Sequence, residues 1–436
     1  MNKIMKFLDR YLMPLANKLN NNIYLTVLRD AFMLAFPLVI FGSIFVVIAN
    51  LPYLNVVLGE DGLNQLRTLL NVAPNATMAI MTLFAVTGIG YYLSKHYKVE
   101  AIYGAVISLS SFLILTPFNV IVGETAQTVG GVIPVERLGA KGMFVGIIAG
   151  FISTEIYRKI VQKKWVIKMP EGVPDAVSKS FSSLIPAVFT LTIFLVIRTA
   201  FYYTPWGNIH DFIYTSIQTP LMALGDGLVA TLIAIFFIQL FWFFGLHGQI
   251  IVNSVLDPIW GALSLENFEA FQAGAEKLPH IVTKQFIDTF TVGMGGTGMT
   301  LAVIVAIFIV GKSRQLKELG KLAAPAGIFN VNEPIIFGLP IVLNPLVIIP
   351  WMLAPMVVTA FTYFVMAIGL VPPPTGVIVP WTMPIFFSGM LATNSLAGGI
   401  LQLVNFVIVM IIWLPFLIAI DKQYYDKEKK EETAKN

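Results

Sequence analysis

The chain has 436 residues, of which 57% are hydrophobic and 12% charged, roughly half the charged share of an average soluble protein. This composition excludes an ordinary soluble domain and indicates a polytopic membrane protein. Cysteine is absent, which excludes disulfides and thiolate chemistry, and we expect no metal and no cofactor. The formal charge of +4 does not indicate a nucleic-acid partner, because the basic residues lie in short runs between apolar segments.

Residues 1–30 predict an amphipathic helix on the membrane surface. Apolar side chains recur every three or four positions from Ile4 to Leu19, and charged residues interrupt them. A signal peptide would have an uninterrupted apolar core instead. We therefore expect an interfacial helix in contact with membrane lipid.

Ten later segments are candidates for membrane crossing, since a spanning helix needs about 20 apolar residues. The segment at 247–262 is predicted as a short span or a re-entrant piece. The ten segments are 31–50, 76–94, 101–118, 141–157, 181–203, 228–246, 247–262, 290–311, 345–370 and 399–420. They predict an all-α polytopic integral membrane protein with about ten transmembrane helices.

The basic residues predict the orientation of these helices. If both termini lie in the cytoplasm, 22 of the 28 Lys and Arg residues fall on the cytoplasmic side, as the positive-inside rule requires. The C-terminal tail, residues 421–436, holds five lysines and five acids. We expect this tail to be cytoplasmic, solvated and mobile.

The stretch "FWFFGLHGQIIVNSVLDP", residues 241–258, places His247 between two glycines. An isolated buried histidine is usually a packing residue, but the flanking glycines and the membrane setting favour a functional role here. Trp242, in the same stretch, is a further candidate for substrate contact.

A glycine-rich stretch, "FTVGMGGTGMT" at residues 290–300, has four glycines in six positions. Glycines in membrane helices often allow close helix packing. This density favours a break in the helix that exposes backbone amides. Gly293 and Gly295 are therefore candidate substrate-binding positions.

The stretch "AAPAGIFNVNEPIIFGLPIVLNP", residues 323–345, has a single acid, Glu333. A charge at the centre of a bilayer costs about 2.5–3.5 kcal/mol, so such a residue usually faces a cavity. Four prolines make one continuous helix implausible, and broken backbone at membrane depth occurs only where protein or water covers it. We expect a re-entrant hairpin that carries Glu333, although an exposed loop between two spans is the alternative.

A second proline-rich apolar stretch, "VPPPTGVIVPWTMPIFFSGMLATNS" at residues 371–395, carries Trp381. Its "PIFFSG" resembles the "PIIFG" at residues 334–338, and such internal repeats occur in transporters. The two stretches therefore suggest paired re-entrant hairpins.

The candidate residues suit a neutral sugar. Glu333, His247 and Asn332 supply hydrogen-bond donors and acceptors, and the Trp381 indole supplies a flat apolar face. Each sugar hydroxyl bound to a charged group contributes about 1.5–3 kcal/mol. No basic residue falls in the predicted cavity, so an anionic substrate would lack a partner.

The run "NVNEPIIFGLPIVLNP" at residues 330–345, together with "GLHG" at 245–248, resembles the membrane-embedded enzyme IIC of the bacterial sugar phosphotransferase system. The chain is similar to the lactose, cellobiose and diacetylchitobiose branch over essentially its whole length. This resemblance implies a homodimeric elevator-type transporter in the bacterial cytoplasmic membrane, with two re-entrant hairpins. It assigns sugar binding to Glu333 and His247, and extends it to Trp381 and Asn332.

The resemblance also implies a division of the chain. Residues 1–30 form the interfacial helix, and residues 31–225 form a scaffold that includes the dimer contact. Residues 226–420 form the transport domain with the sugar site, and residues 421–436 form the cytoplasmic tail.

In this family the sugar receives a phosphoryl group from a phosphocysteine of enzyme IIB. Enzyme IIB receives that group from enzyme IIA. Because this chain has no cysteine, we expect IIB to be a separate partner that docks on the cytoplasmic side. The chain would take up a neutral β-linked disaccharide and present a primary hydroxyl to the donor. Glu333 or His247 would accept the departing proton, so both are candidate catalytic residues.

Three other functions remain open from the residues alone. A proton-coupled sugar symporter would use Glu333 and His247 as proton carriers and would need no IIB. A membrane-embedded transferase for lipid-linked sugars would need more charged residues at the bilayer surface to hold metal and phosphates. A passive channel agrees less well with broken hairpins around a closed polar cluster.

Overall fold

A computed structural model of the chain describes residue 18 and residues 21–50, 54–122, 127–339, 341, 342, 344 and 346–435. Most of the predicted interfacial helix at residues 1–30 therefore lies outside the described residues. The end of that segment, from Ile23 onward, belongs to the first membrane helix, which starts eight residues before the predicted span at 31–50.

The described chain is mostly helical, and one short antiparallel β-hairpin places Val120 opposite Val129. Its helices are α1 (Ile23–Ala49), α2 (Leu54–Leu70), α3 (Val72–Asn75), α4 (Met81–His96), α5 (Ala101–Leu115), α6 (Met143–Gln162), α7 (Asp175–Tyr202), α8 (Ile209–Ile213), α9 (Thr219–Gly225), α10 (Leu228–Phe243), α11 (Gly248–Gln272), α12 (Lys284–Phe290), α13 (Thr300–Val310), α14 (Arg314–Gly327), α15 (Glu333–Gly338), α16 (Ile348–Ala367), α17 (Phe387–Thr393) and α18 (Leu396–Lys435). The strands are β1 (Asn119–Val122) and β2 (Gln127–Gly130).

The long helices α1 and α7 carry large apolar side chains on the outside of the protein. Phe41 and Ile44 are exposed on α1, and Val188 and Val196 are exposed on α7. A long apolar exposed face marks contact with lipid, where a helix satisfies its own backbone hydrogen bonds. Among the described residues, five helical stretches are long and apolar enough to cross a membrane, or six if the bent pair of Ile209–Gly225 and Leu228–Phe243 is one span.

Each of the ten predicted spans overlaps a helix, but two differ from the prediction in form. The segment expected as a short span or re-entrant piece at 247–262 is α11, a 25-residue helix that continues past Pro258. It continues because Trp260 and Leu263 are buried beyond the proline, and their packing stabilises the second half of the helix. The segment expected at 290–311 is broken, because α12 ends at Phe290 and α13 begins only at Thr300. The total of ten crossings stays a prediction.

Small residues let the helices of the first half approach closely. A Cβ atom added to Gly88 of α4 would lie 2.9 Å from the Cα of Ala31 in α1. One added to Gly90 would lie 2.5 Å from the carbonyl oxygen of Gly104 in α5. In lipid the hydrophobic effect does not drive helices together. Close backbone packing of this kind provides the attraction instead. It holds α1, α4 and α5 together as one body.

The tail predicted to be mobile is instead the helical end of α18, which runs to Lys435. Asp421 is buried, and its carboxylate accepts hydrogen bonds from the backbone N–H groups of Lys312 (2.8 Å) and Ser313 (2.9 Å), just before α14. Glu428, two turns further along α18, accepts from the next two N–H groups at 3.0 and 3.1 Å. The first N–H groups of a helix have no partner within it, and two carboxylates of the tail supply the partners here.

One histidine and two carboxylates join the connection between α11 and α12 to the turn before α10. His280 Nδ1 lies 2.9 Å from Asp226 Oδ2, and Nε2 lies 2.7 Å from Glu266 Oε2. Burial alone would lower the pKa of His280, but the hydrogen bonds and charges of the two carboxylates outweigh it and raise the pKa from 6.5 to about 9. At neutral pH the imidazolium donates through both nitrogens.

We predict that Asp421→Ala lowers the free energy of unfolding by about 1–3 kcal/mol, because buried N–H groups lose their acceptor. Thermal unfolding of the purified protein in detergent measures this as a lower midpoint. Asp426→Ala is the matched control, since Asp426 is an exposed carboxylate on the same helix. Equal midpoints for the two variants would contradict the capping role of Asp421.

We also predict that thermal stability depends on pH through His280. Its pKa is higher in the folded than in the unfolded state, so its stabilisation is complete below about pH 6.5 and is lost as the pH rises through about 9. The loss can reach about 3 kcal/mol. His280→Gln should remove this part of the pH dependence of the unfolding midpoint, whereas His96→Gln, which changes an exposed histidine, should keep it. An unchanged pH profile in His280→Gln would refute the prediction.

Candidate functional site

Three breaks in helical structure meet in the second half of the chain: the glycine-rich segment after α12, the turn after α14 and the extended segment before α17. Asn330, which has a left-handed φ of 65°, lies in the turn after α14. Its Nδ2 donates to the carbonyl oxygens of Trp381 (2.6 Å) and Met383 (2.9 Å), and its Oδ1 accepts from the N–H of Gly295 (2.8 Å). One buried side chain therefore joins all three breaks.

Asn332 extends this network toward the start of α11. Its Nδ2 donates to the carbonyl oxygen of Thr297 at 2.6 Å, and the Thr297 hydroxyl donates to Gln249 Oε1 at 2.9 Å. The amide nitrogen of Asn332 is thus used within the protein. Its Oδ1 accepts no hydrogen bond from the described residues, so this oxygen is the group that is left for a ligand.

His247 precedes α11 and caps it. Its Nδ1 accepts from the N–H of Ile250 at 3.3 Å, which assigns the proton of the neutral ring to Nε2. The indole of Trp242 lies against the imidazole, with ring centroids 4.4 Å apart. The imidazole is exposed while Trp242 is buried, so Trp242 positions His247 and Nε2–H is free to donate outward.

Glu333 is the first residue of α15, directly after the turn that Asn330 organises. Its carboxylate is exposed, and among the described residues no side chain or backbone N–H donates to it. Its charge acts on the His247 imidazole, so the two groups lie within electrostatic range of each other. A carboxylate without a partner beside an imidazole donor can accept from the hydroxyls of a ligand.

The predicted hairpins correspond to the turns that hold Asn330 and Trp381. The first hairpin consists of α14, the turn and α15, although Pro340 and Pro345 lie outside the described residues. In the second, the backbone of Trp381 is fixed by Asn330, while 54% of its surface is exposed and its indole face is accessible. The Glu333 segment is therefore helical, and its re-entrant position in the membrane stays a prediction.

The glycine-rich segment does break the helix, as its composition predicts. Gly295, Gly296 and Gly298 have φ values of 77°, 78° and 81°, which L side chains rarely adopt. A Cβ on Gly296 would lie 2.6 Å from Cγ of Asn332, and one on Gly293 would clash with the Asp288 carbonyl oxygen. The N–H of Gly295 already donates to Asn330 Oδ1, so Gly295 stabilises the turn after α14.

Sequence reasoning named Asn332 and Glu333 but missed Asn330, Thr297 and Gln249. The signal for Asn330 was present, because asparagine is one of the few residues besides glycine that adopts a left-handed φ. The contacts of Thr297 and Gln249 had no such signal, since they join segments 48 residues apart.

The described residues contain no group of three or more His, Asp or Glu side chains arranged to hold a metal ion. A cavity of about 400 Å³ lies away from this site, between the ends of α5 and α7, and is lined by Arg198 and Asn208. None of the predicted site residues lines it. Glu333, His247, Asn332 and the Trp381 indole stay the candidate residues of the site.

Comparison with known proteins assigns the chain to the same family as the motif does. The family model described as "Phosphotransferase system, EIIC" matches residues 29–355. The PTS system oligo-beta-mannoside-specific EIIC component of Bacillus subtilis (strain 168) is 60% identical over 97% of this chain and 96% of its own length. The PTS system cellobiose-specific EIIC component of Geobacillus stearothermophilus is 42% identical over 99% of this chain and 98% of its own.

A solved structure extends the likeness to the fold. The crystal structure of the transporter ChbC, the IIC component from the N,N'-diacetylchitobiose-specific phosphotransferase system, has a TM-score of 0.91 and 44% sequence identity, and the match covers 97% of this chain and 99% of that chain. The resemblance inferred from the motifs at residues 245–248 and 330–345 is thereby confirmed. Since the family match spans most of the chain and the relatives share its length, the chain belongs to the EIIC family of the phosphotransferase system.

Proposed function

We propose that this protein is the membrane permease of a sugar phosphotransferase system and that it takes up a neutral β-linked disaccharide. The observation that carries the proposal is the Glu333 carboxylate, which is exposed without a described partner, within electrostatic range of His247, at the meeting point of three helix breaks. The relatives named for oligo-β-mannosides, cellobiose and N,N'-diacetylchitobiose support the substrate class.

In this proposal the sugar is held by complementary groups. Glu333 accepts from two hydroxyls, Nε2–H of His247 donates to a ring or hydroxyl oxygen, and Asn332 Oδ1 accepts from a further hydroxyl. The Trp381 indole packs against the C–H face of a pyranose ring. Because none of these groups carries a positive charge, the site binds the neutral sugar in preference to an anionic one.

Phosphorylation would follow once the site opens to the cytoplasm. The primary hydroxyl oxygen attacks phosphorus, the O–P bond forms, the S–P bond of a phosphocysteine on the separate IIB chain breaks, and Glu333 accepts the hydroxyl proton. His247 orients the hydroxyl instead, because its Nδ1 already accepts from the N–H of Ile250. The protein contributes positioning more than covalent chemistry. The product carries a charge of about −1.5 to −2, so once Glu333 has lost the transferred proton, its negative charge favours release of the product.

We predict that Glu333→Gln weakens binding of a β-linked disaccharide at least about tenfold, because hydrogen bonds to a charged acceptor contribute about 1.5–3 kcal/mol. His247→Ala should weaken binding by a similar factor. Equilibrium binding of radiolabelled cellobiose, oligo-β-mannoside and N,N'-diacetylchitobiose to the purified protein measures both effects and identifies the substrate.

Glu276→Gln is the matched control, because Glu276 is an exposed acid in the connection between α11 and α12 and should not affect binding. Wild-type affinity in Glu333→Gln would remove the carboxylate from the sugar site. Failure of the wild type to bind any of these sugars would overturn the proposed substrate class.

A proton-coupled sugar symporter is the second candidate, because an unpaired carboxylate beside an imidazole can also carry protons. Uptake into vesicles that lack IIB distinguishes the two functions. Accumulation of unmodified sugar driven by a pH gradient would establish the symporter. Uptake that requires phosphorylated IIB and yields sugar phosphate would support the permease.

Transport would proceed by movement of residues 226–420 as a body against a dimeric scaffold of residues 31–225, with both termini in the cytoplasm. Apart from the backbone bond where the chain passes between them, three side-chain hydrogen bonds join the two parts within the described residues. The N–H of Ile378 donates to Ser43 Oγ (2.9 Å), the N–H of Ala140 donates to Glu269 Oε1 (3.2 Å), and Tyr214 Oη donates to Glu266 Oε1 (3.1 Å). So few polar contacts leave the second part able to slide, as an elevator-type mechanism requires.

The absence of cysteine makes this movement testable. In a protein with Ser43→Cys and Ile378→Cys, a short bifunctional thiol reagent should link the two parts and stop uptake, since the contact between them cannot open. Sugar binding to the purified, cross-linked protein should persist. Each single variant treated with the reagent is the control and should transport normally. Full uptake by completely cross-linked protein would refute the sliding movement.

A further inference from the structure

The cavity between the ends of α5 and α7 contains a half-buried arginine, Arg198. Its Nη1 donates to the carbonyl oxygens of Ile114 (2.5 Å) and Thr116 (2.8 Å). The guanidinium has further N–H donors on Nε and Nη2. In the part of the chain that the structure describes, these donors have no acceptor and Arg198 has no acidic partner. A guanidinium in this setting favours an anion, because a partly desolvated charge is costly without a counter-charge.

The acid on the neighbouring helix α8 is already neutralised. Asp211 accepts from Arg137 Nη1 at 3.0 Å and from Asn208 Nδ2 at 2.7 Å. Asn208 lines the cavity, but its Oδ1 accepts from the N–H of Asp211 and from Arg137. The residues that line the cavity include no acid, so Arg198 gives the cavity a positive charge.

The rest of the cavity suits a ligand that is partly apolar. Its volume of about 400 Å³ lies within the range that is usual for small-molecule sites. Leu115, Pro117 and Ile209 contribute apolar wall, and Tyr202 contributes an aromatic ring. A purely inorganic anion would leave this apolar wall unused.

An exposed apolar stripe on α7 runs to the cavity. Val188, Leu195 and Tyr202 are spaced seven residues apart, so they lie on one face of the helix, and all three are exposed. Arg198 is three residues after Leu195 and four residues before Tyr202, and side chains at these spacings are neighbours on a helix. The positive charge therefore lies beside a surface that contacts lipid chains.

Aromatic side chains indicate the depth of the cavity in the membrane. Tyr202, Tyr203 and Trp206 are exposed at the end of α7 and just beyond it. Tyrosine and tryptophan concentrate at the level of the lipid headgroups. Arg198 precedes Tyr202 by about 6 Å along the helix axis, so it lies close to the depth of the lipid phosphates.

We propose that this cavity binds the phosphate group of an anionic membrane phospholipid through Arg198, with an acyl chain along the exposed stripe of α7. The planar guanidinium suits the phosphate because two of its N–H groups donate to two oxygens at once. The bound lipid joins α5, α7 and α8, and all three helices belong to the predicted scaffold at residues 31–225. The lipid therefore stabilises the part of the protein that stays fixed during transport. The site is independent of the sugar site and of the identity of the sugar.

The test measures binding of defined lipids to the purified full-length protein in detergent, by native mass spectrometry and by thermal unfolding. Phosphatidylglycerol should bind and raise the unfolding midpoint. Phosphatidylcholine with the same acyl chains should bind about fivefold more weakly, because its choline group offsets the phosphate charge. Glycerol phosphate has the anionic group without the chains and should not raise the midpoint at the same concentration.

Arg198→Gln should weaken phosphatidylglycerol binding about tenfold, because hydrogen bonds from a charged donor are lost. Arg198→Lys keeps the charge and should retain part of the affinity. Arg67→Gln is the matched control, since Arg67 is also half-buried and also donates to a carbonyl oxygen, that of Ala49, but does not line the cavity. Its affinity for phosphatidylglycerol should equal that of the wild type.

Asn119→Trp is a second variant that leaves the two carbonyl contacts of Arg198 in place. Asn119 is an exposed residue of the cavity lining, so the larger indole should reduce the cavity and weaken lipid binding. Unchanged phosphatidylglycerol binding in both Arg198→Gln and Asn119→Trp would overturn the site. Equal stabilisation by glycerol phosphate would show a site for a free anion instead of a lipid. Efficient disulfide linkage of two copies through Tyr202→Cys would show that a second copy covers the stripe, which also overturns the proposal.

Discussion

The rest of this structure depends on one constraint. Where a helix is broken inside the membrane, its N–H and C=O groups need hydrogen-bond partners. An unbroken helix satisfies its own N–H and C=O groups, but a site for a polar solute needs free groups inside the protein. Asn330 meets this demand by pairing with the N–H of Gly295 and with the carbonyl oxygens of Trp381 and Met383. The three breaks can therefore coexist in one place, and Glu333 follows directly from that junction.

The carboxylates of the chain show two opposite uses of a negative charge. Asp421 is buried with three donors, from Lys312 N–H, Ser313 N–H and Ser313 Oγ, so its charge is satisfied and its role is to fix a helix end. Glu333 has no donor among the described residues. In the proposed sugar site, a hydroxyl that donates to this exposed carboxylate would replace water as its partner. The binding energy would thus come from a group that the fold leaves unsatisfied.

The sequence pointed to the candidate residues of the site but not to the contacts that surround them. Glu333 stood out because a lone acid in an apolar run has few explanations, and the glycine density at 293–298 allowed prediction of the helix break. The partners of Asn330 and Gln249 are groups 35 to 53 residues away along the chain, and no local pattern encodes such distances. The α18 tail was predicted to be mobile because its charges read as solvated, whereas two of its acids cap α14 in the fold.

The position of α14 connects these observations. Its first N–H groups are held by Asp421 and Glu428 of α18, and its last turn leads into the segment with Asn330 and Glu333. A helix transmits force along its axis because its internal hydrogen bonds resist stretching, so both ends of α14 move together. A displacement of the α18 end would therefore reach the turn that positions Glu333. One 14-residue helix therefore links the candidate site to the predicted cytoplasmic face.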